Sequence, residues 1–458
     1  MLRSKSLGID AWGRRVPLLL YADDIVLLAS TPEELQQMLD VTSTYARSWQ
    51  FRFNTKPGKS NVVVVPATSA NLADAERAAF RMGDGPLHLS QEYKYLGVEM
   101  GKTRGCWNSF LSRVHMKKVH SVLYAVASGD RPLKLDTAIH LFEAYVRPSF
   151  EYACGLWGAM LSQAGLQTLE SIQTEFARRV LRLGSTRVAH AYLRAELGLW
   201  PAELRVKQAG LSLFGQLCSL PVSRLAAHVF RRRCADVAAG GGQHSWCLAA
   251  QSTLRDAGFA EVWRTLQLPD GLKSWKAEVY GHCAAQYQDN TRTVVAQHSS
   301  LELFAKLGRL SGVEEWLASE VVHPGKLLKV KLRAGALPLM VHVGVANGIS
   351  QRQWRRCVMC DSGAVETEEH FVLQCPYYDD LRAGCVERVC SLLHSATEQV
   401  DLLRLVAGDW SSSLPAEVRF KAERRGWDFL KLAWRRRELI WSQVCVERNP
   451  WRLLYAPR

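Results

Sequence analysis

Two groups of side chains in this 458-residue chain have the types and the spacing to bind a metal ion. The first is a pair of adjacent carboxylates, Asp23 and Asp24, at the tip of the stretch VPLLLYADDIVLLAS, residues 16–30. Carboxylates held side by side repel one another, so the pair is costly unless a cation lies between them, and two-metal phosphoryl transfer supplies such a divalent cation. The alternative is that both are ordinary polar turn residues. The second group is Cys357-x2-Cys360, then nine residues, His370, four residues and Cys375. Cys-x2-Cys on a tight turn brings two thiolates to one tetrahedral ion, and His-x4-Cys across a helical turn supplies the other two ligands. Four protein ligands leave no open coordination position, which fits a structural Zn2+ and not a hydrolytic one. Free buried cysteines are the alternative reading, and Cys385 and Cys390 fall outside the pattern.

The residues around these groups say which elements must position them. Apolar runs on either side of Tyr21-Ala22-Asp23-Asp24 predict a β-hairpin with buried arms and an exposed acidic turn. Thr31, Pro32 and Glu34 have the form of a capped helix start. Leu35, Met38, Leu39, Tyr45 and Trp49 then share one helical face, so an amphipathic helix should pack under the hairpin. A Pro57-Gly58 turn divides residues 51–65 into two strand-like pieces, with Lys59 directly after it. A lysine there is a solvated turn residue unless a phosphate lies beside it, whose charge it would then neutralise. Residues 66–90 read as a connection.

From residue 109 to 235 the pattern turns helical. One helix begins at Leu135-Asp136, places Ile139, Phe142 and Val146 on one face and should end before Pro148. A second covers residues 166–183, with Leu169, Ile172, Phe176 and Val180 as its stripe and Arg178, Arg179 and Arg182 beside it. Gly240 to Gly242 form a linker after Arg231, Arg232 and Arg233. Residues 415–448 read as one long basic helix, with Trp427, Leu430, Trp434 and Trp441 on a face and Arg435 to Arg437 alongside.

The net charge of +14 and pI near 9.3 favour a polyanionic partner, RNA or DNA. The excess is uneven: residues 111–235 hold 17 Lys or Arg against 8 Asp or Glu, so phosphate contacts are expected there. The three-arginine groups at 178–182 and 231–233 would either follow a phosphate backbone or solvate a surface. Without a secretory leader, and without the run of about 18 apolar residues that spans a bilayer, the expected setting is intracellular, nucleus or cytoplasm, not secreted, with no membrane partner. The 12 cysteines should then be free or metal-bound.

The YADD hairpin with its apolar flanks resembles the active-site hairpin of reverse transcriptases, in the form typical of non-LTR retrotransposons. Further words agree along most of the chain. Asn54, Lys59 and Ser60 resemble the segment after the YADD helix, and Tyr95-Leu96-Gly97 resembles the hairpin that grips the primer terminus. AYVRPSFEYACGLW (residues 144–157) and LESIQTEFARRVL (residues 169–181) resemble the helical thumb and the region after it. LLKVKLRAGALPLM (residues 327–340) resembles the segment before the zinc-binding region, and the residues around His370 and Cys375 resemble that region itself.

The resemblance implies RNA-templated DNA synthesis, with Asp23 a Mg2+ ligand, Asp24 its partner, Tyr21 and Ala22 shaping the floor at the primer end, and dNTP as the only small-molecule substrate. It also implies a further metal-binding aspartate and fingers upstream of YADD, for which a chain starting at Met1 lacks room. The expectation is therefore a truncated RNA-directed DNA polymerase, inactive alone, or else a non-catalytic nucleic-acid-binding zinc protein derived from such an element. The implied fold class is α+β. Its order is a partial palm at residues 1–105, a basic thumb-like region at 106–239, a helical connection at 240–345, a zinc module at 346–395 and a basic C-terminal helix at 396–458. Nothing after the zinc motif has the pattern of a restriction-type endonuclease.

Overall fold

Local chemistry starts the first long helix, Pro32–Ser48, where the sequence places it. Thr31 Oγ1 accepts the Glu34 N–H at 3.2 Å, and Pro32 takes the first turn, where its missing N–H costs nothing. Glu34 folds its carboxylate back, but onto the N–H groups of Ser30 (2.7 Å) and Gly8 (2.6 Å) and not onto Thr31. The displaced box ties residue 8 to the helix start. Met38 and Leu39 are buried, whereas Tyr45 and Trp49, expected on the same face, are 47% and 68% exposed. The cause is the size of the cluster beneath. Leu39, Val62, Ala75 and Phe80 form it, with Leu27 and Leu35 at its margin, and the last helical turn extends beyond it. Tyr45 packs instead against Trp49 and Phe51, with ring centroids 6.1 and 6.2 Å away.

The structure is a computed structural model that describes residues 6–65, 68–101, 133–184, 186–241, 245–310, 312–346, 348–393, 400–410 and 414–447. The first part of the expected thumb-like region, residues 106–132, and Gly242 of the expected linker lie outside the described residues. The chain is mostly helical with a few small sheets, compatible with the α+β expectation. Among the described residues every sheet has two strands. Ile9–Ala11 pairs with Arg14–Val16, Leu18–Tyr21 with Asp24–Leu27, Arg81–Met82 with Gly85–Pro86 and Glu92–Tyr95 with Val98–Gly101, all antiparallel, while Asn61–Val62 and His88–Leu89 run parallel.

The helix begun at Leu135 does not stop before Pro148. Leu135–Leu141 passes into a π-helical turn, Phe142–Val146, and then into Arg147–Glu151. Proline has no N–H and its ring collides with the carbonyl four residues back; a π turn moves that carbonyl aside and lets the helix continue.

The chain divides into two compact units, each drawn from three stretches. One takes Met1–Lys118, Arg147–Leu169 and Ala202–Cys283. In it the helix Ala202–Ser219 lies against Cys154–Trp157 at glycine contacts: a Cβ on Gly158 would come within 2.3 Å of Val206 Cγ1, and one on Gly155 within 2.7 Å of Ala209 O. Trp246 and Trp275 are anchored through their indole N–H groups to Gly155 O and Leu211 O, both at 2.8 Å. The other unit takes Val119–Val146, Glu170–Pro201 and Ala284–Arg458. Its core forms on the last helix, Ala416–Glu447, where Trp427, Leu430 and Ala433 are fully buried against Pro324–Arg333, Asp379–Leu393 and Leu402–Ala407. No described helix is long and apolar enough to cross a membrane.

Candidate metal centre

A short antiparallel bridge sets the first two ligands. Arg356 pairs with Val365, the Cys357 N–H donates to Ala364 O at 2.8 Å, and the Glu366 N–H donates to Arg355 O at 3.0 Å. The chain reverses through Gly363 at φ 71°, a conformation open to glycine because it has no Cβ. The Met359 N–H donates to Cys357 Sγ at 3.4 Å, which favours the thiolate.

A second local device sets the other two. His370–Gln374 is a single π turn, closed by the Cys375 N–H donating to His370 O at 2.7 Å. Residues five apart lie about 140° apart around an α-helix, too far to aim at one ion. The wider π turn brings the fifth residue back over the first.

The four ligand atoms lie within 4.8 Å of one another. Cys357 Sγ is 3.9 Å from Cys375 Sγ, and Cys360 Sγ is 3.4 Å from His370 Nε2. Ordinary Zn–S and Zn–N bonds in a tetrahedron require about 3.8 Å between thiolates and about 3.6 Å from thiolate to imidazole. Cys357, Cys360, His370 and Cys375 thus form a cluster that can hold a metal ion such as zinc. Burial lowers the His370 imidazole below its ordinary range and so keeps it neutral, as a ligand must be. The Cys357 thiol is held well above its ordinary range, first by the Cys375 thiol beside it and then by burial. Two buried thiolates this close need a cation between them.

Residues that sequence reasoning missed hold the cluster in place. Glu366, next to the bridge between the two ligand pairs, is buried and forms a two-pronged ion pair with Arg437 of the last helix, Nε and Nη2 each at 2.9 Å from its oxygens. Its Oε2 also accepts the Met340 N–H at 2.8 Å. Arg437, expected beside the tryptophan face of a basic helix, is therefore an internal tie. Arg382, also buried, donates to Cys375 O at 2.5 Å and Val372 O at 3.4 Å. Only the proximity of Glu366 to the His370 motif hinted at this, since a charged residue in a helical face reads as solvated until its partner is seen.

The carboxylate pair lies on the expected hairpin. Tyr21 pairs with Asp24, leaving a two-residue turn, Ala22-Asp23, with Ala22 at φ 51°. Asp23 and Asp24 are exposed as expected, but the arms are not buried: Leu20 and Tyr21 are each 64% exposed. A two-stranded sheet covers its residues on one face at most, and among the described residues no third strand extends it. The only described set of three or more potential ligands is the Cys-His cluster, so no third acidic or imidazole ligand joins Asp23 and Asp24 among the described residues.

Lys59 is exposed in a turn, and no described hydrogen bond or ion pair links it to either aspartate. Tyr95, Leu96 and Gly97 form a tight hairpin turn with Leu96 at φ 48° and Gly97 at φ 81°, braced by Tyr152, whose hydroxyl donates to Leu96 O at 3.0 Å. Of the arginines, Arg178 donates to Thr186 O (2.6 Å) and Val188 O (3.4 Å), and Arg179 pairs with Glu175 at 2.6 Å. Arg182 is exposed. Arg231 donates to Cys218 O at 3.3 Å, Arg232 is exposed and Arg233 stacks over Trp12, 5.1 Å from the ring centroid. All three lie within the helix Leu225–Ala238.

Comparison with known proteins returns no match, either to a protein-family model or to a curated protein.

Proposed function

We propose that the chain is a zinc-bearing, nucleic-acid-binding portion of a reverse transcriptase of the non-LTR retrotransposon kind. The reading is carried by the Cys-His tetrad, whose spacing follows that family's zinc-binding words and whose ligand atoms converge to within 4.8 Å. The YADD turn on an antiparallel hairpin and the tight Tyr95-Leu96-Gly97 turn support the same reading. When bound, Zn2+ supplies structural cross-linking, with Cys357, Cys360, His370 and Cys375 filling its coordination. Asp23 and Asp24 alone offer two carboxylates in open solvent, a weak Mg2+ site that cannot fix two ions for in-line displacement. The chain by itself therefore binds nucleic acid and does not extend a primer.

Primer extension by the purified chain on an RNA template with Mg2+ tests the catalytic half. Robust synthesis abolished by Asp23→Ala overturns it. Binding to RNA or DNA, measured across a salt series, tests the other half. Affinity should fall steeply with salt, and no binding at low salt to any nucleic acid defeats it.

A further inference from the structure

The turn that leads into the metal centre carries a second feature. Residues 351–356 read Gln-Arg-Gln-Trp-Arg-Arg, and a 3-10 turn over Arg352–Trp354 presents them at the surface. Trp354 is 47% exposed, although large aromatics normally leave water. Its ring is held on both sides of the chain: the indole N–H donates to Gln351 Oε1 at 2.6 Å, and the Arg356 guanidinium lies 5.2 Å from the ring centroid. A tryptophan fixed in water with a cation over it is a ready stacking platform.

Arg352 and Arg355, which flank Trp354 in the same turn, line a cavity of about 460 Å³, a volume that accommodates small-molecule-sized groups. Arg187, Arg352, Arg355, His298, His342 and Ser300 supply its polar lining, and no carboxylate lines it. One of these arginines is neutralised from outside the cavity, Arg352 by Glu302 at 2.7 Å, and the His342 ring hydrogen-bonds to Glu368. The other two arginines are not. Arg355 donates to the carbonyls of Val341 (3.1 Å), Ile349 (3.0 Å) and Ser350 (2.8 Å), which fix its position but leave its charge uncompensated. Arg187 is exposed and has no hydrogen bond or ion pair among the described residues. The cavity thus has two uncompensated arginines, Arg355 fixed by carbonyls and Arg187 untethered, and no carboxylate in its lining.

We propose that this cavity and Trp354 form a single-stranded nucleic-acid subsite, in which a backbone phosphate enters between Arg187 and Arg355 and the adjoining base stacks on Trp354. The inference rests on the nucleic-acid reading above and names where a strand is held. An acidic peptide would satisfy the charge but would have no use for the fixed indole face. A duplex keeps its bases stacked on one another and cannot offer one to Trp354.

The test is fluorescence anisotropy of the zinc-loaded full chain with labelled oligouridylate, its oligothymidylate counterpart and a duplex of equal length. Trp354→Ala should weaken single-strand binding about 5- to 100-fold while Trp354→Phe restores most of it, as base stacking on an aromatic ring requires. Arg187→Gln should lower the salt slope by about 0.7, the value for one phosphate contact on a single strand. Zinc content and melting temperature equal to the parent's show that each variant is folded. The RNA and DNA arms decide which strand is preferred. If the parent binds single strands and Trp354→Ala binds equally well, the subsite is wrong and the broader nucleic-acid reading stands. Failure of the parent to bind any strand defeats both. Equal displacement by polyglutamate, with no effect at Trp354, makes the cavity a peptide-type anion site and overturns the proposal.

Discussion

Cys357 and Cys375 hold their sulfurs 3.9 Å apart in a buried setting, and Cys360 and His370 complete the same small volume. Four ligands at metal-bond spacing with no metal would leave two buried thiols crowded against each other and a third beside the His370 imidazole. The purified chain is expected to contain about one equivalent of zinc. Cys357→Ser should lose it, as read by metal analysis, and lower the melting temperature; a fully folded, metal-free parent would refute the site. At Asp23 and Asp24 the contrast is sharp, because each is exposed and no third ligand is gathered beside them among the described residues. Asp23→Asn should accordingly leave the unfolding free energy unchanged within about 0.5 kcal/mol in chemical denaturation, the range of surface substitutions away from special features.

The elements that matter most are held by charges inside the core. Arg437 and Glu366 fasten the last helix to the segment between the two ligand pairs with both residues nearly inaccessible. Removing one partner strands the other in a low-dielectric setting, so Arg437→Leu should cost about 3–5 kcal/mol in chemical denaturation. The double change Arg437→Leu with Glu366→Gln should recover part of that loss, because no full charge is left buried. A related case lies on the same helix. The Glu423 carboxyl is pushed up to about 7, chiefly by burial, with Asp409 and Glu314 adding to the shift and Lys329 and Arg419 opposing it. It holds its proton more tightly folded than unfolded, so its contribution favours the folded state at low pH and is lost as pH rises from 4.5 toward about 7. Glu423→Gln removes that loss. Between about pH 5 and pH 7 its stability should therefore fall less than the parent's, as measured by denaturation at both pH values.

Across the whole molecule the positive charge is only partly available. The chain carries +14, yet Arg178, Arg179, Arg231 and Arg437 all direct their guanidinium groups to carbonyls or carboxylates of the chain itself. Another internal case is Arg333, which is buried between Glu196 (2.8 Å) and Glu314 (2.6 Å) and also donates to Ala407 O at 2.7 Å. Nucleic-acid affinity should therefore track a few exposed cations and not the count in the sequence. Arg182→Gln and Arg232→Gln, both exposed positions, should each reduce the salt slope of binding by about 0.7–0.9, whereas Arg178→Gln should act mainly on stability.

The sequence alone determined the features that depend on neighbours in the chain. The Thr31–Pro32 helix start, the YADD hairpin, the helix over most of residues 166–183 and the Cys-His spacing follow from capping, alternation and periodicity, which act within a few residues. It did not determine which amphipathic face finds a cover. Tyr45 and Trp49 project beyond a small cluster, and the hairpin arms remain exposed, because burial depends on what another segment brings. Only the tertiary structure turned Arg437 and Arg333 inward, carried the helix past Pro148 and placed Arg187 near a turn some 165 residues away. Charges at such separations meet only once the chain has folded, and no local pattern records the meeting.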